Sequence, residues 1–322
     1  MTDPTGGTGV GTGPPRAGAE DAAADAETAI AAAEAGGPTE KPRSLTGDAW
    51  RDLRRNPVFI VAGIVMVLMV SMAVVPQLWT QVDPLNCDLA NARSPARDGH
   101  PFGFDVQGCD MYSQVVHGAR NSIMIGFLVA VFSGVIAVLF GCLSGFYGGW
   151  VDMLIQRVND IFLGIPTILG GILVLSRLGI YNIWTVSAAL VIFGGWTSQT
   201  RVMRGTVLSV KNADYVQAAK ALGASDARIM FRHIMPNAIQ SVIVLATLLV
   251  GIIIGAEAAL TFLGVGLQFP EISWGVQLNT ARSYFFQAPH LLVWPSLFLT
   301  VTVLSFILIG DAVRDAFDPK LR

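Results

Sequence analysis

The chain has 322 residues, of which 52 % are hydrophobic and only 14 % charged, against about 25 % charged in soluble domains. That balance excludes an ordinary soluble domain and indicates an integral membrane protein. The net charge of −2 is small but unevenly placed: the first forty residues hold seven acids and a single base, Arg16.

That opening stretch is otherwise Gly, Ala, Thr and Pro, and it cannot bury enough apolar surface to offset its chain entropy. Residues 1–43 are therefore expected to be a disordered acidic tail, and not a secretory signal, because the first apolar run starts only at Val58. Residues 44–57, "SLTGDAWRDLRRNP", space Leu45, Ala49 or Trp50, and Leu53 along one helical face. A short helix in the lipid headgroup region follows, its arginines drawn to anionic lipid; a simple positive anchor explains the same residues.

Six apolar stretches follow, at about 58–78, 121–151, 153–176, 178–200, 238–263 and 291–310. Each is read as a crossing of a hydrocarbon core ~30 Å thick. Pro166 is expected to kink the third, and a turn at 179–182 to separate it from the fourth. With both termini cytoplasmic, the inside segments carry Lys41, Arg43, Arg51, Arg54 and Arg55, then Arg201, Arg204, Lys211, Lys220, Arg228 and Arg232, then Arg314, Lys320 and Arg322. Only Arg93, Arg97, Arg120, Arg177 and Arg282 fall outside. The positive-inside rule selects this orientation. The reading is an all-α membrane protein with six transmembrane helices spread over 58–322.

The loop 80–118 then faces the oxidising side, where Cys87 and Cys109 are either bridged or two free thiols. Cys142, inside a span, reads as a small buried hydrophobe. "GCLSG" at 141–145 and "GIIIG" at 251–255 fit the small-xxx-small pattern of closely packed helices. Two acids lie at membrane depth. Asp160 is within a turn of Arg157 and is expected to pair with it near the cytoplasmic end of its span, unless the two line a path. Glu257 either lines a water-filled path or bonds a neighbouring helix, since a carboxylate at mid-span rarely faces lipid.

Catalytic chemistry finds little support. No Gly-Lys dipeptide occurs, so there is no phosphate-binding loop. His100, His117, His233 and His290 are scattered without metal-ligand spacing, and neither H-E-x-x-H nor G-x-S-x-G appears. No enzyme activity, cofactor, metal or nucleic acid is assigned to the chain itself.

The cytoplasmic segment 204–237 is the most polar passage between spans. In "DYVQAAKALGASDARIMFRHIMPN" Asp214 is placed to cap a helix with Gln217 three residues on. Tyr215, Ala218 or Ala219, and Leu222 fall on one face, and Gly223 suits a left-handed helix end. Ser225 or Asp226 restarts a helix in which Ile229, Met230 and Ile234 share an apolar face, and Pro236 closes the passage. A docking helix for another protein and a plain amphipathic connector both fit.

These residues also resemble the membrane subunits of bacterial ABC importers, whose motif runs Glu-Ala-Ala, three residues, Gly, nine residues, Ile-x-Leu-Pro. Here it reads Gln217-Ala218-Ala219, then Gly223, then His233-Ile234-Met235-Pro236. "RRNP" at 54–57, "HPFGFDVQGCDMYSQVVHGARNS" at 100–122, "EAALTFLGVGLQFPEISWG" at 257–275 and "GDAVRDAFDPKLR" at 310–322 resemble the C-type subunit of the dipeptide, oligopeptide and nickel branch. The resemblance implies a type I importer permease fold in the bacterial inner membrane, paired with a B-type permease. It implies two partner ATPase subunits that bind ATP and Mg, and an extracytoplasmic binding protein that delivers peptide. Nickel or another small solute is the alternative cargo, and an ATP-independent channel or secondary transporter a more distant one. Asp214 to Leu222 would be the helix coupled to the ATPase, with Ala218, Ala219 and Gly223 giving close approach and the bend and Ala224 next in the same coupling segment. Arg228, Arg232 and His233 lie on its second arm, the two arginines placed to meet acidic ATPase or lipid groups. Gln217 replaces the motif's acid, which weakens any ion pair there. Cys109 stands where the family commonly has Arg, which favours its pairing with Cys87.

Overall fold

The structure, a computed structural model, describes residues 45–317. The acidic tail 1–43 and the last five residues lie outside the described residues, so the expectations placed on them have no structural counterpart. The chain divides into two compact units, 1–47 and 48–322. Of the first, only the start of helix α1 (Leu45–Leu53) is described; everything below concerns the second.

Helix α2 (Pro57–Val74) begins where Asn56 Oδ1 accepts the Val58 N–H at 2.9 Å, with Pro57 at the first position. Its 18 uncharged residues span about 27 Å. Helix α3 (Met111–Tyr147, 37 residues) is capped by Asp110, whose Oδ2 accepts the Ser113 N–H at 2.8 Å. Its outer third carries His117 and Arg120, so the helix starts ten residues before the apolar stretch at 121.

The stretch expected as a third span is two helices, α4 (Gly149–Leu163) and α5 (Thr167–Leu178), which meet at 82°. Pro166 has no N–H to continue the ladder, and Gly164 ends α4 with its N–H on Asp160. The expected fourth span starts at α6 (Ile183–Leu190), capped reciprocally by Asn182 and Thr185. It passes through a π-helical turn, Val191–Gly195, and runs on as α7 (Trp196–Lys211) well past residue 200. Next come α8 (Asp214–Ala221), α9 (Asp226–Ile229), a second π turn (Met230–Ile234), α10 (Met235–Phe262), α11 (Trp274–Ala281) and α12 (His290–Phe317). Among the described residues four helices are long and apolar enough to cross a membrane by themselves, and the bent α4–α5 pair would be a fifth. The α6–α7 stretch, divided by the π turn into helices of 8 and 16 residues, is not among them.

Helix α3 is the central post, packed against α2, α7 and α10, while α10 also packs on α11 and α12. Close approach of α3 to α7 depends on glycine: a Cβ at Gly141 would lie 2.5 Å from Met203 Cβ, and one at Gly145 2.7 Å from Val207. In "GIIIG" only Gly251 has that role, against α12; nothing approaches Gly255. One buried cluster fills the outer half around Trp274, Leu260 and Val115. A second fills the inner half around Cys142, Phe146, Met203 and Val207.

Candidate functional site

At the end of the bundle that charge assigns to the cytoplasm, α8 and α9 form a kinked arm between α7 and α10. Its start differs from expectation: Ala213, not Asp214, is the N-cap, and no side chain caps the helix. Asp214 occupies the first turn, where its charge suits the helix dipole. Gln217 turns back and donates from Nε2 to the Lys211 carbonyl at 2.9 Å. A glutamate has no N–H for that bond, so the departure from the family motif has a local use. The helix ends in a Schellman pair: Gly223 N–H reaches Lys220 O at 3.0 Å and Ala224 N–H reaches Ala219 O at 3.1 Å. Gly223 is left-handed, at φ +82°. Ser225 accepts the Arg228 N–H and restarts α9.

Burial divides the arm into two faces. Val216 is 2 % exposed and Ile234 0 %, and with Ile229 and Met230 they complete the inner core against α3 and α7. The apolar spacing of Ile229, Met230 and Ile234 is thus satisfied within the chain. The opposite face is open: Tyr215, Gln217 and Ala218 are exposed, Ala219 and Ala224 half-buried, and Leu222 is 88 % exposed. Arg228 and Arg232 are exposed and His233 half-buried. Asn237 Nδ2 donates to His233 O at 2.7 Å and to Tyr215 Oη at 3.2 Å, tying the arm to the start of α10.

Polar contacts that sequence spacing did not reveal brace the stems. Arg204 holds Asp152 through two hydrogen bonds, at 2.6 and 2.5 Å, joining α7 to α4. Ser144 also donates to Asp152. Asp160 pairs with Arg201 at 2.6 Å and not with Arg157, which has no ion pair among the described residues. Packing of α4 on α7 brings an arginine 41 positions away closer than the one a turn back. Lys211 Nζ donates to Phe146 O at 2.5 Å and closes α7 onto α3.

Glu257 is fully buried in α10. Its carboxylate accepts hydroxyl bonds from Thr261 (2.9 Å), Ser273 (3.1 Å) and Ser122 (3.3 Å). Of the two readings open to it, a path-lining acid lacks any exposed surface here. Instead Glu257 pins the 263–273 loop between α10 and α3, helped by Trp274 Nε1 on Val115 O at 3.0 Å.

At the opposite end, Cys87 and Cys109 are joined in a disulfide at an antiparallel bridge. Inside this cap Asp105 Oδ1 accepts N–H bonds from Cys109 (2.7 Å) and Gln107 (2.8 Å), and Oδ2 accepts one from Gln114 (2.9 Å). Burial pushes the Asp105 pKa above its ordinary value, and these bonds, Cys109 foremost, pull it part of the way back. Asp110 pairs with His100 at 2.8 Å, and Phe102 stacks on Trp294 at 3.9 Å, so the cap links the outer ends of α3 and α12.

The family described as binding-protein-dependent transport system inner membrane component matches residues 137–322. The N-terminal TM domain of oligopeptide transport permease C matches residues 44–95. The chain is 38 % identical over 284 residues to the oligopeptide transport system permease protein OppC of Bacillus subtilis (strain 168), covering 88 % of this chain and 92 % of that one. It is 34 % identical to the dipeptide transport system permease protein DppC of the same organism, covering 87 % of each. It is 36 % identical to the glutathione transport system permease protein GsiD of Pectobacterium atrosepticum, covering 85 % and 90 %. In fold it is similar to a chain from inward facing conformations of the MetNI methionine ABC transporter, with a TM-score of 0.52 at 18 % identity, covering 64 % of this chain and 97 % of that one.

Proposed function

The chain belongs to the family of binding-protein-dependent transport system inner membrane components, and on that premise we propose that it is one permease subunit of an ATP-driven importer of short peptides. The observation that carries the cargo class is its 38 % identity, over 88 % of its length, to an oligopeptide permease. The dipeptide and glutathione permeases at similar identity carry the same chemistry, amino acids joined through amide bonds.

In this reading the chain forms half of a pore with a second, B-type permease. An extracytoplasmic binding protein delivers the peptide, and two ATPase subunits bind ATP and Mg on the other side. The α8–α9 arm is the coupling element. Its open face, Tyr215 to Leu222, enters a groove on an ATPase, while buried Val216, Ile229 and Ile234 weld its other face to the stems. A push on the arm therefore moves α7 and α10 with it instead of bending a loose loop, and the bundle rocks between its two openings. Reconstitution of the complete complex in proteoliposomes tests the proposal. Binding-protein-dependent uptake of a labelled tripeptide that requires internal ATP is the expected result. Uptake of nickel in its place, or flux without ATP, overturns it.

A further inference from the structure

Two facing side chains in the middle of the bundle have polar atoms that nothing in the described chain pairs with. Gln199, on α7, is 3 % exposed, and neither its amide nitrogen nor its amide oxygen has a hydrogen-bond partner. Opposite, on α3, the Ser133 hydroxyl is buried and also unpaired. The two lie on one contact. Gly195, one turn above Gln199, backs directly onto Ser133, and Gln199 Oε1 is 4.0 Å from where a Cβ on Gly134 would stand. The surroundings are apolar, with Leu249 and Val242 of α10 closing the site. An amide left unmade in such a place costs its whole desolvation, and a second conformation that pairs it would recover that cost.

The position of Gln199 in the chain shows which movement would do so. It lies in the first turns of α7, directly below the π turn Val191–Gly195, on the helix that ends at Lys211 and hands on to the α8 arm. A π turn holds one residue more than an α turn, and such turns recur at functional sites. Closing or passing it rotates the helix below by about 100° and shifts it by about 1.5 Å. The downstream stem of the arm contains a second π turn, Met230–Ile234, so both stems carry a joint of the same kind.

We propose that Gln199 is a positioning residue for the transport step: unpaired in this conformation, it bonds Ser133 and the neighbouring backbone when α7 re-registers at the Val191–Gly195 turn as the arm moves. This rests on the transport reading above. An interaction made in only one of two states biases the equilibrium between them, so Gln199 favours departure from the conformation of this structure.

The test is Gln199→Met in the assembled complex, a change that keeps volume and removes the amide. Its apparent melting temperature should rise by about 2–4 °C. ATP-driven uptake should fall about tenfold, within the usual range of coupling between states, with KM for the peptide unchanged. Gln199→Asn, which keeps an amide, should retain most of the uptake, and Ser133→Ala should shift both readouts in the direction of Gln199→Met. A lowered melting temperature, or wild-type uptake and ATP hydrolysis in Gln199→Met, overturns the proposal. If the wild-type complex moves no peptide, the cargo assignment falls, while the melting temperature and the ATP hydrolysis stimulated by the binding protein still decide the role of Gln199.

Discussion

Leu222 gives the sharpest test of the coupling role proposed for the α8–α9 arm. It is 88 % exposed, follows α8 and precedes the left-handed Gly223. Because the side chain is almost wholly in solvent, Leu222→Ala should leave the stability of the chain within about 0.5 kcal/mol. If Leu222 enters an ATPase groove, the same truncation removes its isopropyl group from a buried site. At about 0.8 kcal/mol per carbon that is ~2 kcal/mol, or ~30-fold weaker binding. The assay is titration of purified ATPase subunits onto the permease pair in nanodiscs, read as Kd, with peptide uptake measured on the same preparations. Phe286 provides the control: it is 91 % exposed at the opposite end, and Phe286→Ala should leave ATPase affinity unchanged. Wild-type Kd and uptake for Leu222→Ala would refute the docking of this arm.

The outer cap and the buried acid are tested separately. Replacing Cys87 and Cys109 with Ser reopens a loop whose ends are 22 residues apart, a loss of about 3 kcal/mol in the chain-entropy model. Protection of cap amides from hydrogen exchange should fall, and the wild type in reductant should match the double mutant; unchanged exchange in both would show that the bridge contributes nothing. Glu257→Leu strands the hydroxyls of Ser122, Thr261 and Ser273 at about 1–3 kcal/mol for each group left unpaired. Glu257→Gln keeps an acceptor in place and should cost less. Thermal melting in detergent ranks the three proteins, and Glu257→Leu melting with or above the wild type would reject the pinning role.

Much of the site could be read along the chain because its punctuation is local. Gly223 ends α8 in the left-handed region and Ser225 restarts α9, as each residue's own backbone preference directs; Pro236, expected to close the passage, instead lies within an unbroken helical run from Asp226 to Phe262. The apolar spacing of Ile229, Met230 and Ile234 was equally visible, but not its target. That face meets α3 and α7 of the same chain, leaving Tyr215 and Leu222 as the open surface. Gln217 illustrates the limit: its bond to the Lys211 carbonyl depends on the turn at 212–213, which no motif describes.

Composition, apolar run lengths and the placement of Lys and Arg determined by themselves that this is a helical membrane protein, which way the rule of charges orients it, and which segment lies between stems. Those properties add up residue by residue and need no knowledge of neighbours. The tertiary structure alone decided the pairing of Asp160 with Arg201, the burial of Glu257 under three hydroxyls and the unpaired amide of Gln199. Each of these depends on how far apart two helices pack and which faces they turn to each other. Helix packing is set jointly by glycines such as Gly141 and Gly145 and by the bulk opposite them, so partners such as Arg201 for Asp160 and Ser122 for Glu257 lie 41 and 135 residues away, beyond the reach of any local pattern.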